Sequence, residues 1–221
     1  MLSYLYCILS LVILTGSCPC HRRATTTEQP CIEGPQCPEG YVQYNSTNNE
    51  TLPICFKIIW ENLARWDDGR SLCQNSTPGA DIGFVNTQDQ RDQLYNAVVE
   101  KLGDKDGVLP IWIGAKKTEN CTAVIMKKAK SDDPCFMSKA LEWVGDLAPS
   151  NATEFFDTYE VHLGPLNKRG DGCGRFLTNT AELTDLDEDT VIDIVPCNNP
   201  KINENNEFDG QAGVLCTVEA K

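Results

Sequence analysis

The sequence predicts an α+β fold: two helices, short antiparallel strands and a long irregular loop, stapled by disulfides. Three observations lead to it. The chain of 221 residues holds 12 cysteines, and those that follow a short apolar leader are even in number. Residues 88–102 carry one clear amphipathic helical pattern. Elsewhere the apolar residues come in short β-branched and aromatic runs, broken by polar turns.

The leader comes first. Residues 2–14 form the only long apolar run, and Thr15-Gly16-Ser17-Cys18 follows it. A run of about 13 residues is short for a membrane span, which needs roughly 20. Small residues behind it suit a signal peptidase site. We expect a signal peptide at residues 1–18, an extended arm at 19–36 and one folded domain at 37–221. No membrane span is expected once the leader is removed. Such a chain is secreted, and its thiols meet an oxidising compartment.

Composition agrees with an extracellular destination. The net charge of −13 argues against a nucleic-acid partner, since phosphate contacts need clustered Lys and Arg. It favours a chain kept dispersed by self-repulsion. A mean hydropathy of −0.33 excludes a multi-span membrane protein. Asn45, Asn49, Asn75, Asn120 and Asn151 each stand two residues before a Thr, so N-glycosylation is expected at these five positions. There is no Cys-x-x-Cys pair and there are only two histidines, His21 and His162, so a zinc site is not expected.

The elements follow in chain order. The Thr- and Pro-bearing arm holds Cys20 and Cys31, which are able to close a small loop. Tyr41-Val42-Gln43-Tyr44 and residues 54–59 read as strands, with a polar loop between them. Residues 66–73 read as a short helix, weakened by Gly69. The second helix, 88–102, has Thr87 and Gln90 as a capping-box pair. Leu94, Tyr95, Val98, Val99 and Leu102 share a face, and Gly103 stops it. Residues 110–115 form a buried strand. The polar, basic stretch 116–139 follows, with Cys121 and Cys135 able to staple it as a hairpin insertion. Residues 140–144 form a short strand. Residues 145–172 show no periodicity, and a loop of that length in a compact domain is usually functional. Short strands at 173–178, 191–195 and 213–218 complete the chain.

Motifs of catalysis are few. His162 has no nucleophile elbow near it, and no His-Glu-x-x-His is present. Nothing singles out a carboxylate pair for glycoside hydrolysis. The run Asp185, Asp187, Glu188, Asp189 has the acidic spacing of a calcium loop. It carries Thr190 where such a loop needs Gly and Pro196 where it needs Glu, so it reads as a solvated loop. Trp112 and Trp143 lie in apolar strands and read as core. Phe155, Phe156 and Tyr159 fall in the long loop, where aromatic rings stack on a sugar or anchor a protein, or pin the loop to the core.

Taken in order, several short motifs resemble the C-type lectin-like domain over residues 37–219. They are Cys37-Pro38-Glu39-Gly40-Tyr41, Trp66-x-x-Gly69-x-x-x-Cys73, Trp112-Ile113-Gly114-Ala115, Glu142-Trp143, Val195-Pro196-Cys197 and Leu215-Cys216-Thr217-Val218-Glu219. The resemblance implies the bonds Cys73–Cys216, Cys173–Cys197 and, as in the long form of the domain, Cys37–Cys55. Cys121–Cys135 and Cys20–Cys31 pair what remains.

The resemblance also implies where a calcium ion would sit. In sugar-binding members, five side-chain oxygens on the long loop hold it. The loop tripeptide that supplies the first ligands reads Gly164-Pro165-Leu166 here, without either ligand. Asp171 fills the next position. The last two positions fall at Asp193 and Ile194, of which only Asp193 has an oxygen. Asn167 serves only if the register shifts. Calcium takes about 6 to 8 oxygens, so the sugar site of the family reads as lost or heavily altered.

The expected function is therefore recognition of a glycan or an extracellular protein through the long-loop face, residues 147–172 with 179–190, without a cofactor and without catalysis. Phe155, Phe156, Tyr159, Asn167, Asp171 and Asp193 are the candidate ligand-binding residues. Asp171 and Asp193 are the residual metal candidates. Calcium-dependent carbohydrate binding is the alternative, and a secreted hydrolase a distant one. Oligomeric state is not legible.

Overall fold

The computed structural model describes residues 34–44, 53–61, 63, 65–103, 108–121, 129–130, 132–136, 139–148, 161–163, 172–179, 190–198 and 212–221. The elements are β1 Val42–Gln43, β2 Ile54–Glu61, α1 Trp66–Ser76, β3 Asp81–Ile82, α2 Gln88–Leu102, β4 Val108–Lys117, β5 Leu141–Trp143, β6 Val161–Leu163, β7 Gly172–Asn179, β8 Thr190–Pro196 and β9 Ala212–Glu219. They belong to a unit spanning Pro35–Lys221. Cys20, Cys31 and the leader lie outside the described residues.

Among the described residues the strands form one sheet in the order β1-β2-β9-β4-β7-β8-β6, with β3 on β9 and β5 on β4. The α+β expectation holds, with one correction. The sheet is mixed: β4 runs parallel to β9, and β6 parallel to β8. Parallel neighbours need long crossovers, and residues 118–211 supply one. Periodicity reports which face a side chain takes and is blind to the direction of the neighbouring strand, so the parallel pairs escaped the sequence. Strands β3 and β6 were not expected either. Two or three residues are too few to show an alternation.

Alternation along the strands divides the core in two. On one face Ile111, Ile113, Phe176, Ile192, Ile194 and Leu215 meet Leu94, Val98 and Leu102 of α2. On the other, Trp112, Cys173, Val195, Val214 and Cys216 meet Trp66 and Cys73 of α1. The buried stripe of α2 is narrower than the sequence implied, because Tyr95 and Val99 are only half-buried. Its start is capped by Thr87 Oγ1, which accepts from the Gln90 N–H at 3.2 Å. The Gln90 side chain reaches back to the N–H of Asn86, one residue beyond the cap.

Helix α1 runs three residues past its expected end. Its cap residue, Arg65, has no capping side chain. The carbonyl of Cys197 instead accepts the Trp66 N–H at 2.8 Å, so a distant loop caps the helix. Gly69 weakens the helix but lets it lie close to β9. A Cβ there would come within 3.2 Å of Val214 Cγ2. Trp66 then donates its indole N–H to the carbonyl of Ile113 at 2.7 Å.

Gly114 marks the tightest crossing. Its N–H donates to Gly83 O and its carbonyl accepts from Val144 N–H, both at 2.7 Å. A Cβ at this position would lie 2.9 Å from Val144 O and 3.1 Å from Gly83 O, both backbone atoms. Gly114→Ala is expected to destabilise the domain by about 1–3 kcal/mol, read as a lower urea midpoint.

Among the described residues four disulfides close: Cys37–Cys55, Cys73–Cys216, Cys121–Cys135 and Cys173–Cys197. In the chain-entropy account the loop-closure term grows with sequence separation. Separations of 143 and 14 residues therefore rank two of these bonds. Replacing both Cys73 and Cys216 by Ala should cost about 5 kcal/mol, and the Cys121/Cys135 pair about 3 kcal/mol. Denaturant titration of the two double variants should preserve that order.

Candidate functional site

In the chain, the stretches 147–172 and 179–190 adjoin or contain strands β6, β7 and β8, which lie side by side at one end of the sheet order. Strands β7 and β8 pair in register from Gly172↔Pro196 to Thr178↔Thr190. The Cys173–Cys197 bond ties their ends. Residues 161–163, within the expected loop, form β6 on the edge of the sheet, with His162 at the register position of Asp193. Cross-strand register sets Trp112, Arg175 and Asp193 in one row across β4, β7 and β8.

The centre of that row is a buried ion pair. Arg175 Nε and Nη2 both donate to Asp193 Oδ2, at 2.9 and 2.6 Å. Arg175 is 9% exposed and Asp193 is 7% exposed. At that burial neither charge is shielded by bulk water, so each side chain is the other's chief compensation. The Arg175 Nη1 and Trp112 Nε1 groups are also buried, with no hydrogen-bond partner among the described residues.

Of the candidate ligand residues, Asp193 alone lies within the described residues, and its carboxylate is engaged by Arg175. Phe155, Phe156, Tyr159, Asn167 and Asp171 fall outside them, as does the acidic run 185–189. Among the sequons, Asn75 and Asn120 are exposed, and Asn45, Asn49 and Asn151 lie outside the described residues. Trp112 is buried at 1% exposure, and Trp143 packs half-buried against the core. Among the described residues no group of three or more His, Cys, Asp or Glu is placed to hold a metal ion.

Sequence reading missed Arg175. The signal was there in a weak form. Each of the runs 173–177 and 191–195 contains a single charge, and the two are of opposite sign. A lone charge in a buried strand needs a partner, and pairing the two strands would have supplied it.

Three of the disulfides join the cysteines that the motif order pairs, and the two tryptophans of that order, Trp66 and Trp112, are buried on the face those bonds staple. The fold is C-type lectin-like. Solved C-type lectin-like structures similar to this chain include human lithostathine, at 18% identity over 89% of this chain and 99% of that one, with a TM-score of 0.44. CEL-IV is similar at 12% identity over 84% and 96%, with a TM-score of 0.46. Ovocleidin-17, a major protein of the Gallus gallus eggshell calcified layer, is similar at 17% identity over 83% and 99%, with a TM-score of 0.41. No family model matches the chain, nor does any curated protein at a significant level.

Removing one partner of a buried ion pair leaves the other uncompensated. Asp193→Ala should therefore cost about 3–5 kcal/mol, while the apolar double replacement Arg175→Met with Asp193→Leu should recover most of that loss. Urea unfolding of the two variants beside the parent chain measures both.

Proposed function

We propose that the chain is a secreted, glycosylated recognition protein that binds a glycan or protein ligand through its long-loop face, without calcium and without catalysis. One observation carries the reading without calcium: the engagement of Asp193 by Arg175. A cation at Asp193 has to displace a guanidinium and leave it buried and unpaired, at a cost of about 3–5 kcal/mol. Calcium draws its affinity from the number of oxygens around it. With Gly164 and Leu166 at the first ligand positions and Ile194 at the last, few oxygens remain to offset that cost.

The recognition face is residues 147–172 with 179–190. Its support is the length of the loop, its attachment to disulfide-tied strands, and its aromatic residues Phe155, Phe156 and Tyr159. Aromatic side chains present a large contact area at small entropic cost, on a sugar ring or in a protein pocket alike. Secretion is supported by the apolar leader and by four disulfides in one small domain. Exposed asparagines at Asn75 and Asn120 are open to glycosylation. Among the described residues no helix is long and apolar enough to cross a membrane.

Thermal unfolding of the oxidised, secreted chain in millimolar calcium and in chelator tests the reading. The expected outcome is the same melting temperature in both. A rise of several degrees in calcium would establish a cation site and turn the assignment to a calcium-dependent carbohydrate-binding lectin.

A further inference from the structure

We propose that the open edge of β2 is a self-association surface, where a second copy of this chain adds its own residues 57–61 antiparallel across a two-fold axis. The edge lies at the opposite end of the sheet order from β8 and β6.

On one side β2 pairs along its whole length with β9. On the other side β1 covers only Cys55 and Phe56, and the Tyr44 N–H donates to the Ile54 carbonyl at 2.8 Å. The chain enters β1 from a turn in which the Tyr41 N–H donates to Pro38 O, so among the described residues no strand covers 57–61 on this side. Because the Ile54 carbonyl faces this edge, strand alternation turns the backbone groups of Phe56, Ile58 and Trp60 the same way. Those of Ile58 and Trp60 have no partner among the described residues.

Such an edge is a template for a further strand unless charge, proline or a bulge blunts it. Ile58, Ile59 and Trp60 are consecutive, half-buried and apolar, with no proline among them. Val42, the one exposed large hydrophobic among the described residues, stands on β1 beside them. Trp60 is held against β9, where a Cβ at Gly213 would come within 2.9 Å of its ring.

The order of residues selects a second copy as the occupant. Taken antiparallel about Ile59, the stretch Lys57-Ile58-Ile59-Trp60-Glu61 complements itself. Lys57 faces Glu61 of the second copy, Glu61 faces its Lys57, and Ile58 faces its Trp60. The Ile58–Trp60 positions become hydrogen-bonded pairs, which uses the open backbone groups. The Lys57–Glu61 positions become the non-hydrogen-bonded pairs, whose side chains approach more closely. Neither Lys57 nor Glu61 takes part in an ion pair among the described residues. A register shifted by one residue sets Lys57 against Trp60 and loses both charge pairs. The two-fold axis repeats each contact and closes the assembly at two copies.

Sedimentation equilibrium of the oxidised, secreted chain measures the association. The expected dissociation constant is about 10–100 µM, because a short edge buries less than the roughly 1,200–2,000 Å² of a stable interface. Lys57→Glu and Glu61→Lys each set like charges opposite one another on both sides of the axis, and each should weaken the dimer about tenfold or more. Lys57 is half-buried and Glu61 exposed, so the fold tolerates both changes. An equimolar mixture of the two variants restores opposite charges at both positions, so it should associate as the parent does, to within about threefold. Three results overturn the proposal: a parent chain that stays monomeric up to about 300 µM, a dimer that neither variant weakens, or a mixture that does not recover. The first is the outcome if another segment of the chain covers the edge, and the second if copies meet through a different surface.

Discussion

Strand β9 is the constraint on which the rest of the domain depends. It pairs with β2 over eight residues, from Ile54↔Glu219 to Glu61↔Ala212, and so joins the two ends of the folded unit. It also pairs with β3 and, in parallel, with β4. Its Val214 and Cys216 look toward α1, while Leu215 looks toward α2. The Cys73–Cys216 bond then fixes α1 to it covalently. A strand from the end of the chain thus sits among elements made earlier. Its partners must wait for it, or be held near one another by the denatured-state constraint that the disulfides supply.

Much of this was legible from residues alone. The helix at 88–102 announced itself because its apolar spacing, its Thr87 cap and its terminal Gly103 agree with one another. The disulfide order followed from motifs around Cys37, Cys73, Cys173, Cys197 and Cys216. What escaped was whatever a second, distant segment completes. Arg65 looks like a poor cap until the Cys197 carbonyl is beside it. Gly114 looks like a break in an apolar strand until the backbones at Gly83 and Val144 close on it. Arg175 and Asp193 are isolated charges in two apolar runs until register places them opposite each other. Of the candidate contact set, the sequence marked Asp193 by its kinship to a calcium ligand, and only the strand pairing reveals the cation already beside it.

That pair has a wider consequence for the strands that carry it. A metal-bound loop depends on ion concentration, because binding energy is added to folding only when the ion is present. A guanidinium carried by β7 is always present at full occupancy. It also points both of its bonding N–H groups at a single oxygen, which fixes the orientation of two strands that the Cys173–Cys197 bond already joins. Buried ion pairs add little net stability over apolar residues, and breaking them is costly. The pair is therefore better understood as fixing the geometry of β7 and β8 than as strengthening the fold.

The division of labour along α2 follows the same logic. A helix needs only a stripe of apolar residues to dock, and Leu94, Val98 and Leu102 provide it. The remaining faces are free to carry chemistry without disturbing the core. Disulfides extend this freedom to the loops, since they hold the ends of a segment whatever lies between them. In a domain stapled at Cys37–Cys55, Cys73–Cys216, Cys121–Cys135 and Cys173–Cys197, the residues free to set a ligand preference are those the fold does not use. This is why fold motifs name the architecture well and the ligand poorly. The motif cysteines and tryptophans are spent on the interior, while the side chains that line no part of it are left free to differ.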